Sequence, residues 1–262
     1  MGGVTSRGLT FGSVASSYER YRLGYPDDLV DHVLAYAGRP VTTALEIGAG
    51  TGKATRLFAA RGIHVTATDP DRAMLQELRL HVGADRVTTV NRSLEDLRAT
   101  PPHDLVYAGA SLHWTDPEGR WDRIAALLEP DGVVASFGTP VHLADEALSA
   151  AVTAARLPYL EEDDVPSPDG TAADELLQWP GTELLQTDLF TDVRQEIIPR
   201  RVHLSSAQVV GYLSTVSAYL QLAEEQRAAA LGAIAAVLPA EVEVVADVWL
   251  HLGRRAPGTT GG

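Results

Sequence analysis

The stretch Leu45-Glu46-Ile47-Gly48-Ala49-Gly50-Thr51-Gly52-Lys53 decides the fold of this chain. It closes an apolar run, Val41 to Ile47, that predicts a buried strand. Apolar residues at helical spacing follow it, at Ala54, Leu57 and Phe58. Glycines in a strand-to-helix turn let the backbone bend sharply and let a ligand approach without a Cβ in the way. The stretch therefore predicts a strand, a loop and a helix, with a ligand site at the carboxyl end of the strand.

Outward from this loop, short apolar runs alternate with segments of helical period. The further predicted strands of this part are His64 to Thr68, Arg86 to Val90, Asp104 to Gly109 and Gly132 to Phe137. Helical stripes separate most of them, at Met74, Leu75, Leu78 and Val82 and at Trp121, Ile124 and Leu128. Such alternation predicts a parallel sheet with helices on both faces.

The pattern changes after Pro140. A helix is predicted over Ala144 to Arg156, and a loop rich in proline, glycine and acidic residues over Pro158 to Pro180. The remaining predictions are a strand near Val193 to Leu204, helices over Val209 to Leu220 and Glu224 to Leu238, and a closing strand over Val242 to Leu252. The expected fold is α/β and Rossmann-like: a doubly wound, mostly parallel seven-stranded sheet with an antiparallel edge strand and a helical and loop cap.

We expect one α/β domain built from successive parts of the chain. Residues 1–140 form the ligand-binding core with an N-terminal covering segment, and residues 141–190 form a lid insertion. Residues 191–255 complete the same domain, and residues 256–262 are a tail. A long irregular insertion at the carboxyl edge of a sheet is typical of a functional lid, so Ala144 to Thr187 should cover the ligand pocket, with Pro158 to Gly170 as its mobile part. Its inner wall should come from apolar residues of this segment: Leu157, Tyr159, Leu160, Leu176, Leu177 and Trp179.

An acidic residue stands in register with the glycine loop. Asp69 ends the second predicted strand, 21 positions after Gly48, where a carboxylate can accept hydrogen bonds from ribose hydroxyls. The sequence does not match two phosphate-binding patterns. A dinucleotide site requires glycine in place of Lys53, and a P-loop requires glycine in place of Ile47. The spacing G-x-G-x-G after an acid, Glu46, is that of S-adenosylmethionine (SAM) sites.

With these motifs, the chain resembles the class I SAM-dependent methyltransferases, in the small-molecule branch that includes the trans-aconitate and ubiquinone-biosynthesis types. The resemblance is clear from about Phe11 to Phe137. The segment around Tyr18, Tyr21, Arg22 and Gly24-Tyr25-Pro26 is similar to the N-terminal part that closes over the cofactor in that family. Ser93 stands where the family usually has an acid that holds the adenine amino group, so this chain departs from the pattern there.

The resemblance implies SAM as the cofactor. It implies these cofactor-binding residues: Tyr18, Arg22, Glu46, Gly48, Ala49, Gly50, Gly52, Asp69, Pro70, Ser93, Leu94, Ala108 and Gly109. The implied acceptor-binding residues are Tyr21, His113, Trp114, Tyr159 and Trp179.

His113 follows the fourth strand, where the family places the reacting methyl group, and a neutral imidazole there is a candidate general base. The alternative is that His113 only lines the pocket. The stretch Gly109-Ala110-Ser111-Leu112-His113 fails as a hydrolase elbow, because its fifth residue is not glycine.

Composition limits the partners. The net charge of −14 and the lack of a basic patch exclude nucleic acid and anionic membranes as expected partners. The chain has no cysteine, no apolar run of transmembrane length and no pair of histidines at metal-ligand spacing on a helix. We therefore expect a cytoplasmic protein without a metal, and a homodimer is one assembly that the sequence allows.

The expected function is methyl transfer from SAM to a small molecule, with oxygen favoured over nitrogen or carbon as the acceptor atom and natural-product biosynthesis as the setting. Three alternatives stay open. The first is a SAM-binding protein of the same fold with other chemistry, such as a cyclisation. The second is a nucleotide-dependent oxidoreductase, and the third is a binding module without catalysis.

Overall fold

A computed structural model describes residues 15–98, 101–162, 167–172 and 174–257 of the 262-residue chain. In chain order the strands are β1 Thr43–Ile47, β2 His64–Thr68, β3 Val87–Val90, β4 His103–Gly109, β5 Leu128–Gly138, β6 His142–Leu143, β7 Phe190–Ile198, β8 Arg201–Ser205, β9 Glu241–Val245 and β10 Val248–Arg255. The helices are α1 Ala15–Tyr21, α2 Asp28–Ala37, α3 Lys53–Ala60, α4 Arg72–His81, α5 Arg120–Ala126, α6 Glu146–Arg156, α7 Gly181–Leu185, α8 Ser206–Leu213, α9 Ser217–Leu220 and α10 Glu224–Val237. A 3₁₀ turn covers Leu112–Trp114.

Seven strands form the main sheet in the order β3-β2-β1-β4-β5-β10-β7. The five strands from β3 to β5 are parallel, and β10 runs antiparallel to both β5 and β7. The predicted Rossmann-like fold with a mostly parallel seven-stranded sheet is confirmed. The antiparallel strand lies one place inside the edge, and β7 is the edge strand itself.

Alternating side chains of the parallel strands explain the two layers of helices. Ala44, Leu105 and Val133 belong to one apolar cluster, together with side chains of α2, α3 and α4. Leu45 and Val106 belong to a second cluster, which includes residues of α5 and α7. Because successive residues of a strand face opposite sides, the continuous apolar runs in the sequence correspond to strands that are covered on both faces.

A second sheet of three strands, in the order β6-β9-β8, was not predicted. The runs Val193 to Leu204 and Val242 to Leu252, each predicted as one strand, both break in two. Proline at position 199 has no N–H to donate to a ladder, and opposite it the Asp247 side chain accepts a hydrogen bond of 2.8 Å from Arg200 N. The two runs therefore form one antiparallel ribbon that bends at Pro199, with β7 and β10 in the main sheet and β8 and β9 in the small one.

The small sheet has its own apolar core. Leu204, Val209, Val242 and Val244 are buried there, and Tyr219, Ala230 and Ile234 form an adjoining buried cluster. We call the unit formed by the small sheet with α6, α8, α9 and α10 the cap. Most of it comes from residues outside the lid insertion predicted at 141–190. The helix predicted over Val209 to Leu220 is two helices, α8 and α9.

Local capping fixes where several helices begin. Asp71 and Asp145 each accept a hydrogen bond from a backbone N–H in the first turn of α4 and α6. Ser205 and Gln208 form a capping box at α8, which satisfies N–H groups that the helix itself leaves free. Among the described residues, no helix is both long and apolar enough to cross a membrane.

Candidate functional site

The glycine loop connects the end of β1 to α3, as predicted. Gly48, Gly50 and Gly52 all have positive φ, at 64°, 55° and 85°. A Cβ on Gly48 would lie 2.5 Å from the Cβ of Ser111, and one on Gly52 would lie 2.7 Å from Leu78. Gly50 has nothing within 4 Å on its Cβ side. Two of the glycines are therefore needed for close packing, and the third leaves the backbone open for a ligand.

Asp69 ties this loop to the end of β2. Its Oδ2 accepts a hydrogen bond of 2.9 Å from Gly50 N, and its Oδ1 accepts one of 2.8 Å from Asp71 N. Asn91 donates to the carbonyl oxygens of Asp69 and Pro70, which fixes the turn after the strand. Burial raises the pKa of Asp69 to about 6, even though the two backbone N–H groups favour the ionised form.

Glu46 lies below the loop and is 1% exposed. Its Oε2 accepts hydrogen bonds from Thr55 Oγ1 at 2.5 Å and from Tyr107 Oη at 3.0 Å. Burial raises the pKa of Glu46 to about 8, because desolvation outweighs these two donors. A carboxyl group in this state is largely protonated at neutral pH, so the floor of the site carries little negative charge without a ligand.

A cleft of about 1100 Å³ runs from the glycine loop, past the carboxyl ends of β4 and β5, into the cap. Most of the predicted site residues line it: Tyr18, Arg22, Gly48, Gly50, Asp69, Pro70, Ser93, Leu94, Gly109, His113, Trp114 and Trp179. Glu46 and Ala49 line a smaller adjoining cavity that shares Tyr18, Arg22 and Gly48 with the cleft.

Four predicted residues do not line either cavity. Gly52 packs on Leu78, and Ala108 is 2% exposed within β4. The Tyr21 ring lies against Gly211, where a Cβ would come within 2.3 Å of it. Tyr159 is 36% exposed. The sequence around Tyr159, a tyrosine next to a proline, does not distinguish a pocket wall from the protein surface. In the structure Tyr159 lies on the surface.

Of the residues predicted to form the inner wall of the lid, only Trp179 lines the cleft. Leu157 is 57% exposed and Leu176 is 94% exposed. Leu160 packs in the cap core, and Leu177 contacts Gly181. Residues 163–166, in the middle of the predicted mobile part, lie outside the described residues.

The stretch after β3 supplies the wall beside Asp69. Ser93, which stands in place of an acid of the resembled family, donates a hydrogen bond of 3.1 Å to Asp96. Glu95 and Met74 also line the cleft here and were not predicted. An acidic side chain therefore lines this wall two residues after Ser93.

His113 lines the cleft beside Trp114, and the two ring centroids are 4.6 Å apart. Burial, and after it the positive charges of Arg120 and Arg22, lower the pKa of His113 to about 4. The imidazole is neutral at pH 7, as a general base must be, but it holds a proton weakly. This weakens the general-base hypothesis and favours the alternative that His113 lines the pocket.

Arg22 joins the N-terminal segment to the cap. Its Nε donates to Thr215 Oγ1 at 2.9 Å, its Nη2 to Thr215 O at 2.9 Å, and its Nη1 to Tyr212 Oη at 3.3 Å. The guanidinium also stacks on the rings of Tyr18 and Tyr212. Tyr212 lines both cavities and was missed, because only the folded ribbon brings α8 back to the first helix.

A second group of contacts holds α7 to the core. Arg120, 1% exposed, donates to Glu183 Oε2 at 2.9 Å and to Thr115 Oγ1 at 2.7 Å. Trp121 Nε1 donates to the same Glu183 oxygen at 2.9 Å. Because Arg120 also stacks on Trp179, it fixes both the loop after His113 and the Trp179 wall.

Comparison with known proteins agrees with this architecture. Residues 45–134 match the model of a methyltransferase domain. An uncharacterized methyltransferase of Mycobacterium tuberculosis is 36% identical over 124 residues, which is 47% of this chain and 49% of that protein. A trans-aconitate 2-methyltransferase of Paracidovorax citrulli is 36% identical over 99 residues, 35% of this chain and 36% of that protein.

A solved structure extends the similarity of the fold. A protein of Anaeromyxobacter dehalogenans, named as a candidate type II methyltransferase, superposes with a TM-score of 0.63 over 90% of this chain and 99% of its own, at 21% identity. The chain spans about half the length of the curated relatives it matches. The matched domain, 45–134, ends before the cap begins.

Proposed function

We propose that this chain, whose residues 45–134 match a methyltransferase domain, is a class I enzyme that transfers a methyl group from SAM to a small-molecule acceptor. The observation that carries the proposal is the joining of Asp69 to Gly50 at the mouth of the cleft. This contact sets a carboxylate that would bind the ribose beside an open glycine backbone.

The residues present suit a nucleoside cofactor with a charged tail. Each oxygen of Asp69 accepts one backbone hydrogen bond and has a lone pair left for a ribose hydroxyl. Gly50 presents its backbone without a Cβ contact. Arg22, which lines both cavities and has no carboxylate within 4 Å among the described residues, would meet the carboxylate of the cofactor.

SAM supplies a methyl group that is already activated by a positively charged sulfur. The chain must therefore orient an acceptor and exclude water. Its cap closes one side of the cleft with apolar side chains, which serves the second task. Orientation of the two reactants alone can lower the activation barrier by several kcal/mol, and by roughly 7 to 11 kcal/mol in the best cases. An acceptor that is already ionised therefore does not require a strong base at His113.

We place oxygen first among acceptor atoms and natural-product biosynthesis as the setting, in a cytoplasmic enzyme. The trans-aconitate methyltransferase among the relatives supports an acidic oxygen acceptor, and the lack of cysteine fits a reducing compartment.

Calorimetry with SAM, S-adenosylhomocysteine (SAH) and NAD⁺ tests the cofactor. Binding of SAM and SAH without NAD⁺ is expected, because Lys53 replaces the third glycine of a dinucleotide site. Binding of NAD⁺ alone would favour the oxidoreductase. Mass spectrometry then separates methyl transfer, which forms SAH and a product heavier by one methylene, from a cyclisation, which leaves the methyl group on SAM.

A further inference from the structure

The cleft continues beyond the cofactor-binding residues into the apolar core of the cap. Leu204, Val209 and Val244 are 7%, 7% and 2% exposed, and all three line its far end. They also belong to the buried cluster that holds the small sheet together. The far end of the cleft is thus walled by side chains whose other contacts are apolar.

Elements from separate parts of the chain complete this wall. The cleft is also lined by Leu143 of β6, Val152 of α6, Leu213 of α8 and Val216, which precedes α9. Three half-buried tryptophans also line the cleft: Trp114, Trp179 and Trp249. Aromatic side chains favour offset or edge-to-face contact with another ring.

The size of the cleft leaves room for a second ligand. Pockets for one drug-sized ligand are usually about 300 to 1,000 Å³, and this cleft measures about 1100 Å³. A cofactor bound at Asp69 and the glycine loop would fill part of this volume. On the scale of such pockets, roughly several hundred Å³ would stay free on the side of the cap.

The polar residues of the cap that line the cleft differ in exposure. His142 and Thr153 are exposed, whereas Ser149 and Ser217 are half-buried. Arg156 on α6 is buried, so neutral and anionic members of one ligand series both belong in a test.

We propose that the acceptor is a bulky, largely apolar molecule with an aromatic ring, whose body lies among Val152, Val209 and Val244. The proposal rests on the proposed methyl transfer and gives it a substrate class. A small polar acid such as trans-aconitate would leave this apolar wall uncovered.

The test measures binding to the SAH-loaded protein by calorimetry. The probes are 2-naphthol, 2-naphthoate, decanoate and trans-aconitate. At least one naphthyl probe should bind tenfold or more tightly than both decanoate and trans-aconitate. Equal or tighter binding of trans-aconitate, or no binding of either naphthyl probe, would overturn the proposal. Equal or tighter binding of decanoate would overturn the aromatic assignment in favour of a linear acyl chain.

Two substitutions locate the probe. Val152→Asn introduces a polar group into the wall, and Val237→Asn makes the same change on α10 at a position that is 39% exposed and outside the lining. Val152→Asn should weaken the naphthyl probe fivefold or more and leave the SAH affinity unchanged, while Val237→Asn should change neither. Unchanged naphthyl affinity in Val152→Asn would contradict the placement.

Trp249→Leu serves if Val152→Asn does not fold. It shortens an aromatic wall on β10 and should again weaken the naphthyl probe without changing SAH affinity. An unchanged naphthyl affinity would count against the proposal. If the unmodified protein binds neither SAM nor SAH, the proposed function itself fails. If it binds them but prefers trans-aconitate, only the substrate class fails.

Discussion

The cofactor half and the cap are built in opposite ways. The five parallel strands β1 to β5 all come from one continuous segment, residues 43–138, and pair with neighbours roughly 20 to 60 residues away along the chain. The cap instead pairs β6 with β9 and β8 with β9, across separations of about 100 and 40 residues. The first arrangement builds the glycine loop and Asp69 within the segment that matches a methyltransferase domain. The second forms a pocket wall that the matched domain does not include.

This difference predicts that substitutions in the two regions have separate effects on ligand binding. Substitutions at the glycine loop or Asp69 should affect SAM affinity and leave acceptor probes bound. Substitutions in the cap should do the reverse. Buried contacts that hold α7 to the main sheet should instead affect the stability of the whole molecule.

The largest expected effect is on stability, at the contacts that hold α7 to the core. Glu183→Ala removes the carboxylate that accepts from both Arg120 and Trp121. Arg120 is 1% exposed, and a buried charge without its partner typically costs about 3 to 5 kcal/mol. Because the Glu183 side chain is 20% exposed, we expect the lower end, a loss of about 3 kcal/mol in the free energy of unfolding by urea.

Asp31→Ala is the control for that variant. Asp31 pairs with Arg61 on the surface, with 61% of its side chain exposed, and surface pairs contribute little. A loss in Glu183→Ala no greater than in this control would mean that the Glu183 contacts do not hold α7 to the core.

How far the sequence predicts each region follows from the same contrast. The site at Gly48, Gly50 and Asp69 could be predicted, because consecutive parallel strands end at one edge of a sheet and their spacing along the chain is nearly constant. Tyr212 and Val244 could not be placed in the cleft, because the bend of a ribbon between distant segments brings them there. Pro199 did carry a signal for that bend, since proline inside a strand run argues against one continuous strand.

The second effect is on cofactor affinity. Asp69→Ala removes charge-assisted hydrogen bonds to ribose, which contribute about 2 to 3 kcal/mol, or roughly 30- to 150-fold in affinity. Calorimetry should show this loss for SAM, with unchanged binding of 2-naphthoate or 2-naphthol. Asp71→Ala is the matched control, because its carboxylate accepts from Ala73 N at the start of α4 and does not line the cleft. Unchanged SAM affinity in folded Asp69→Ala would contradict the assignment of Asp69 to ribose binding.

A third effect is the pH dependence of SAM binding. The pKa of Asp69 is raised to about 6, so the carboxylate is ionised at pH 7 and mostly protonated at pH 5. Loss of the ionised form should weaken SAM binding by up to about tenfold between pH 7 and pH 5, which is one pKa unit or about 1.4 kcal/mol. The pKa of Glu46, raised to about 8, keeps that group mainly protonated over this range. Asp69→Asn should show a flatter profile, and an equal slope in both proteins would assign the dependence to another group.

The smallest expected effect is at His113, which the sequence marks as a candidate general base. A base contributes typically 10²–10⁴-fold, but an imidazole whose pKa is lowered to about 4 accepts a proton poorly at pH 7. The cause is burial near Arg120 and Arg22, and the same positive charges would stabilise an acceptor that arrives as an anion. We therefore expect His113→Ala to lower turnover less than tenfold, measured as SAH formation with an acceptor found from the naphthyl series, and to leave SAM affinity unchanged. Trp114→Leu, beside it in the same wall, is the comparison for loss of packing alone. A fall of a hundredfold or more in His113→Ala, with a small change in Trp114→Leu, would restore the general base and tie the chemistry to an acceptor that must lose a proton.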